Sequence, residues 1–358
     1  MKQAANNPTT NALPSGVTEA QVAAAVRRSG YPLQVHVGRL IRQIGMGDYH
    51  FDVQDEWGYV DRDTHELRNL DLHAAMRLHS WDPQPRVRPR LDLLIECKQS
   101  ELPYVFFCAD GKILSNTTPA IAGLHQDKVV ITSDDDPSTW TDPVMSALDL
   151  VSEPFQTAPT FCHTLSKCAR KGSELELSGS DAYNGLVLPL IKAIQHFARS
   201  EEPPRTAWYF DCHICVGLAV LDAPIIGLSV ASDGATVQKA IPWCRIARHE
   251  YDESAERFDR DKLWLLDAVH KDFLAEYLNE HLLPFASTFA ERVLRHPTEL
   301  ATGTAFAAGM GADSFNGIEA RLKPRNLGAS AKRGLSIGSR ILSLFNSRRG
   351  ESGTQSAT

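Results

Sequence analysis

The run "LDLLIECK", Leu91 to Lys98, constrains this chain more than any other stretch of it. Its length and apolar weight are those of a buried β-strand, which must be tied to neighbours along both edges. Side chains alternate along a strand, so Asp92, Leu94, Glu96 and Lys98 face one way while Leu93, Ile95 and Cys97 face the other. Charges buried without a partner or a task cost several kcal/mol, so a buried strand ending in Glu96 and Lys98 needs a reason for both. A second carboxylate stands about 25 residues upstream, where Leu70, Leu72 and Ala74 alternate with Asn69, Asp71 and His73 in another strand-like segment. Asp92 shares the face of Glu96 but lies roughly 13 Å from it by strand rise, too far to bind the same ion.

The rest of the chain frames these strands. Residues 1–17 are rich in Asn, Thr, Ala and Pro without period and read as a flexible arm. Two short helices follow, the second with Leu33, Val37, Leu40, Ile41 and Ile44 on one face. "SWDPQPRVRPR" reads as an exposed connection into the Leu91 strand, and "LPYVFFCADGKIL" as a strand beyond it. Pro- and Asp-rich punctuation over 132–160 predicts a surface insertion. From Ser180 to Ser200 a helix is expected, with Pro189 accommodated as a kink. Apolar strands are expected over 211–230 and 239–252, and one or two long helices over 259–297. The alternation of helices and strands predicts an α/β fold in which helices flank a central mixed sheet, filling one domain over 18–310. Residues 311–358 form a basic tail: from Gly317 to Gly350, eight Lys or Arg stand against the single acid Glu319.

On one face of the Leu91 strand, Glu96, Lys98 and a carboxylate from the neighbouring strand make a set that can hold a divalent cation and an attacking water against a phosphodiester. The metal would be bridged by Asp71, Glu96 and the Cys97 backbone carbonyl, and Lys98 would orient the water and meet developing negative charge. A Glu-x-Lys pair alone occurs by chance in a chain this long. Read from the residues alone, a metal site and a structural ion pair stand level.

The succession "GYPLQVHVGRLIRQIG", "YVDRDTHELRNLDLHA" and "LDLLIECKQSELPYVFF" resembles the PD-(D/E)XK nuclease superfamily, in particular its restriction-endonuclease-like, Mrr-like bacterial members. The resemblance spans residues 30 to about 110. It implies a restriction-endonuclease-like fold, Asp71, Glu96 and Lys98 as the catalytic trio, Mg²⁺ (or Mn²⁺) as cofactor, DNA as substrate, and a role in bacterial restriction or phage defence. Where many members carry a Glu on the helix before the first strand, this chain has Gln34; where they read Arg-Glu-Ile-Asp, it reads Arg68-Asn69-Leu70-Asp71. Gln34 and the net charge of −7 keep a second reading in view, a catalytically inactive nuclease-fold protein that binds nucleic acid or scaffolds a partner. Gln99 either contacts substrate or ends its strand, and its polarity favours the second.

Arg86, Arg88 and Arg90 are the candidate phosphate contacts, on the condition that their hairpin projects beside the acids. Cys162, His163, Cys168, Cys212, His213 and Cys215 offer zinc-ligand chemistry, but Cys212 and Cys215 fall on opposite faces of one strand, which reads against zinc and for buried reduced thiols. The tail segment "SAKRGLSIGSRILSLFNSRRG" has the pattern of a basic amphipathic helix suited to DNA, an anionic membrane surface or a partner. No signal-peptide core and no apolar run of ~18 residues is present, which predicts a cytoplasmic protein without integral membrane association. A homodimer is the assembly that a simultaneous cut of both strands requires.

Overall fold

The computed structural model describes residues 10–82, 84–133, 139–251, 261–307 and 322–323. Helices α1 (Glu19–Arg28) and α2 (Tyr31–Gln43) open the chain. Thr18 caps α1 in a reciprocal capping box with Gln21, and Leu33, Val37 and Ile41 bury one face of α2. The strands that follow are β1 (Asp52–Val60), β2 (Leu67–Arg77), β3 (Val87–Gln99), β4 (Tyr104–Ala109), β5 (Phe161–Lys171), β6 (Phe210–Asp222), β7 (Ile225–Val230), β8 (Thr236–Ala240), β9 (Trp243–Tyr251) and β10 (Asp261–His270). They lie side by side in the order β8-β7-β4-β5-β9-β10-β6-β3-β2-β1, a large mixed sheet. In it β3 pairs antiparallel with β2 and parallel with β6.

Helices cover both faces of this sheet. On one face α2, α4 (Leu283–Arg295) and α5 (Pro297–Thr302) pack against Leu91, Leu93, Ile95 and Cys97 of β3 and Ile214, Val216, Leu218 and Val220 of β6. On the other, α3 (Leu188–Ser200) lays Leu190, Ile191, Ile194 and Phe197 over Leu94, Cys215 and Ala219. Gly217 lets α3 approach: a Cβ there would meet Leu266 Cδ2 at 2.6 Å and Ile194 Cδ1 at 3.0 Å. The expected kink at Pro189 is a wide π-turn over Tyr183–Val187, and Pro284 follows a second one over Tyr277–Leu282. Proline breaks the α-helical ladder four residues back, and both helices loosen into i→i+5 turns just before that residue.

Two expectations are corrected. Residues 261–270, read as helix, form the central strand β10, whose residues from Trp264 to Val269 are all buried. Burial on both faces erases the period of two, and a short apolar run then has no pattern to tell strand from helix. Nor do the described residues of 132–160 form a surface insertion. Val144, Met145, Leu148, Leu150 and Phe155 lie in the main core, and Lys128–Ser133 joins Thr139–Pro143, Thr304–Ala307 and Leu322–Lys323 in a four-stranded sheet. Pro143 and Pro154 mark starts rather than loops, each opening a short helical turn. All seven cysteines are free, and Cys212 and Cys215 point into the two opposite cores. No helix among the described residues is long and apolar enough to cross a membrane. The basic tail lies outside the described residues apart from Leu322–Lys323.

Candidate active site

The acids meet where two ladders fail together. Pairing of β2 with β3 runs from Arg77↔Arg90 to Leu72↔Ile95 and stops, although the next step in register sets Asp71 opposite Glu96. Pairing of β1 with β2 skips the same level: Asp55↔Leu72 and Trp57↔Leu70 flank an unpaired Glu56 and Asp71. Glu56 sits in the left-handed region, φ 53°. Both strands change faces there. Val53, Leu72, Ala74 and Met76 pack with Ile95, whereas Trp57, Tyr59 and Leu70 pack with Leu94 on the other side. The even alternation expected through Leu70, Leu72 and Ala74 therefore does not hold, and the break releases the Asp71 side chain to reach across the gap. Its Oδ2 accepts the Cys97 N–H at 2.6 Å.

Glu96 is buried beside it, 6% exposed. Its Oε1 accepts from Lys98 Nζ, while its Oε2 is buried without a hydrogen-bond partner. Burial pushes the Glu96 carboxyl up to about 7, with the Asp71 and Glu56 charges adding to the rise and the Lys98 ammonium opposing it. Asp71 is raised for the same first reason, burial, partly offset by the Cys97 N–H and by Lys98. Burial alone would lower Lys98, but the Glu96 and Asp71 carboxylates hold its ammonium above the ordinary lysine range.

Gln34 is part of this site by contact. Its side-chain nitrogen donates to the Asp71 carbonyl at 2.9 Å and to Glu56 Oε1 at 3.0 Å, bracing α2 against the break. Glu56 is the acid that sequence reasoning missed; its place depends on a left-handed residue in β1, for which "QDEWGY" carries no local signal. Gln99 is exposed at the strand end. Arg86, Arg88 and Arg90 are not brought to the acids: they lie at the opposite end of β3, Arg88 roughly 26 Å from Glu96 by strand rise. Between the two ends lies a cluster that was also missed. Asp92, 1% exposed, accepts from His73 Nε2 at 2.9 Å and contacts His213 Nδ1 at 2.7 Å, under Phe197.

Among the described residues no three His, Cys, Asp or Glu side chains gather closely enough to chelate a metal by themselves. That argues against a structural zinc cage, which takes four protein ligands. Mg²⁺ is commonly held by one or two carboxylates with water filling the remaining positions, and Asp71 with the unpartnered Oε2 of Glu96 offers that much. Comparison of the chain with family models, with curated proteins and with solved structures returns no match.

Proposed function

We propose that the chain is a Mg²⁺- or Mn²⁺-dependent endonuclease hydrolysing DNA phosphodiester bonds, that its mixed sheet is a restriction-endonuclease-like core, and that Asp71, Glu96 and Lys98 carry the reaction. The observation that carries this reading is Glu96 Oε2, a carboxylate oxygen buried without a partner and set opposite a second carboxylate in register. A carboxylate kept in that state is a standing cost unless a proton or a cation relieves it.

Asp71 and Glu96 would hold the divalent cation, which when bound would supply Lewis acidity toward the scissile phosphate and a water more acidic than bulk. Lys98 stays protonated at neutral pH because the two carboxylates raise it. On the same face of β3 as Glu96 and half-buried, it donates to the attacking water or to the phosphoryl oxygen on which charge develops. Glu96, poised near pH 7, gives up a proton as the site is loaded, so cation affinity rises with pH through neutrality. The Cys97 N–H fixes the Asp71 carboxylate, and Gln34 holds Glu56 and the Asp71 backbone in place.

The test is cleavage of plasmid and linear DNA in Mg²⁺ or Mn²⁺ by the parent, Lys98→Ala and Asp71→Ala. Cleavage by the parent alone is expected; cleavage that persists in both variants removes the site. One observation favours the second reading, a non-catalytic nucleic-acid-binding or scaffolding module: the neutral Gln34 amide already occupies an oxygen of Glu56. DNA retained by a parent that cleaves under no metal would decide for it.

A further inference from the structure

The end of β3 remote from the acids carries its own chemistry. A cavity of about 410 Å³ opens there, within the range of small-molecule sites, with Arg77, Arg88 and Arg90 in its wall. Arg77 and Arg90 are direct partners in the β2–β3 ladder. Side chains opposite one another in an antiparallel pair stand about 5 Å apart at Cβ, and like charges in that position are destabilising.

These two arginines have no compensation of the usual kind. The Nε atoms of both, like that of Arg88, are buried without a hydrogen-bond partner, and neither Arg77 nor Arg90 stands within ion-pair distance of a carboxylate among the described residues. Arg88 differs, being neutralised by Asp211 at 2.8 Å, and Arg86 lies outside the cavity, stacked on Trp208. Arg77 is held in place by aromatic rings, its guanidinium 4.2 Å from the Trp81 centroid and 5.8 Å from that of Tyr49. His79, also in the wall, is kept below the ordinary histidine range by burial and adds no further positive charge at pH 7. A pair of opposed guanidinium groups in one cavity wall, neither with a carboxylate partner among the described residues, is a site for an oxyanion, whose charge would offset both.

The rest of the lining narrows the ligand. Tyr49 and Trp81 give the cavity an aromatic side that inorganic phosphate has no use for and a nucleobase does. Asp48 and Asp52, exposed carboxylates on the same lining, repel the extended backbone of a nucleic acid but accept readily from ribose hydroxyls. We propose that this cavity binds a free nucleoside monophosphate, with its phosphate between Arg77 and Arg90 and its base against Trp81 and Tyr49. The inference does not rest on the nuclease reading, because the two sites lie at opposite ends of β3 and share no residue.

The experiment is calorimetric titration of the full chain in EDTA with AMP, GMP, CMP and UMP, and with inorganic phosphate and a 5′-phosphorylated oligonucleotide as comparators. At least one mononucleotide is expected to bind one-to-one, about ten-fold or more tighter than inorganic phosphate. Arg90→Gln removes one charge-assisted contact and should weaken that binding by about 10- to 100-fold. The same variant should raise the melting temperature of the ligand-free protein, because it relieves the opposed charges, and this shows that the loss is not misfolding. Three results would each overturn the proposal: no mononucleotide binding, mononucleotides no tighter than inorganic phosphate, or an oligonucleotide tighter than every mononucleotide. Arg90→Gln binding as the parent does would also overturn it.

Discussion

Replacing Glu96 with Gln should make the metal-free protein more stable at pH 8 while changing it by less than about 1 kcal/mol at pH 5. An ordinary glutamate titrates at 4.5, whereas burial holds Glu96 at about 7. Between those values the native state carries more protons than the unfolded chain, so stability falls as pH rises through that window. At about 1.36 kcal/mol per pKa unit the group contributes a loss of roughly 3 kcal/mol by pH 8. Glu96 is buried enough that solvent does not dilute this figure, being 6% exposed. Asp71 is raised as well and adds a loss of the same sign, beginning nearer its ordinary value of 3.8. Lys98 contributes no slope here, because a raised lysine loses its stabilisation only in strong alkali. Glutamine keeps the shape and removes the charge, and Lys98, with a third of its side chain exposed, retains water as a partner. Urea denaturation in EDTA at pH 5, 6, 7 and 8 measures the difference, which should open to about 2–3 kcal/mol at the top of the range. With Mg²⁺ in hundred-fold excess over its dissociation constant the parent should regain about 2.7 kcal/mol and the variant nothing. Parallel pH profiles for the two proteins would mean that Glu96 titrates normally, and the argument from its burial would fall.

Three further substitutions probe the frame around the site. Asp92→Ala should cost about 3–5 kcal/mol at pH 7 by urea denaturation, because it strands two buried histidines. Burial alone would raise Asp92, but the hydrogen bonds from His213 and His73 hold it below the ordinary range, so its stabilisation is present above about pH 4 and the gap to the variant should narrow as pH falls further. Glu56→Gly should relieve the left-handed strain and stabilise the metal-free protein by up to about 1 kcal/mol, yet weaken Mg²⁺ binding measured by calorimetry. Gly217→Ala should destabilise by about 1–3 kcal/mol in thermal melts, since its methyl has Leu266 and Ile194 in its way.

What could be read in advance divides along the range of the interactions. α2, α3 and β3 were legible because their signals are local: Leu33, Val37 and Ile41 on one helical face, Leu190, Ile194 and Phe197 on another, and an apolar run with alternating charge. The neighbouring position of Asp71 was legible because β2 and β3 are consecutive strands, and consecutive strands commonly pair. The His73–Asp92–His213 cluster was not, because His213 is 121 residues from Asp92 in sequence and enters only through the parallel pairing of β6 with β3. Arg88 and Arg90 were linked to the acids by proximity in sequence, and strand geometry separates what the sequence sets close. A strand of thirteen residues is long enough to span the sheet, so its two ends belong to different surfaces.

The face of β3 that first drew attention can be followed along its whole length. Arg88, Arg90, Asp92, Leu94, Glu96 and Lys98 occupy alternate positions of one strand, and only Leu94 is apolar. A central strand tolerates five charges on one face only if each is matched locally, and the matching differs from place to place. Arg88 takes Asp211 from β6, and Asp92 takes histidines from the strands on either side. Glu96 takes Lys98 with one oxygen and nothing with the other, and Arg90 takes nothing among the described residues. The carboxylate oxygen and the guanidinium left without a partner fall toward the two ends of this face, Glu96 beside Lys98 and Arg90 beside Arg88. Their opposite signs, each beside a second like charge in register, are what ligand sites of opposite preference require.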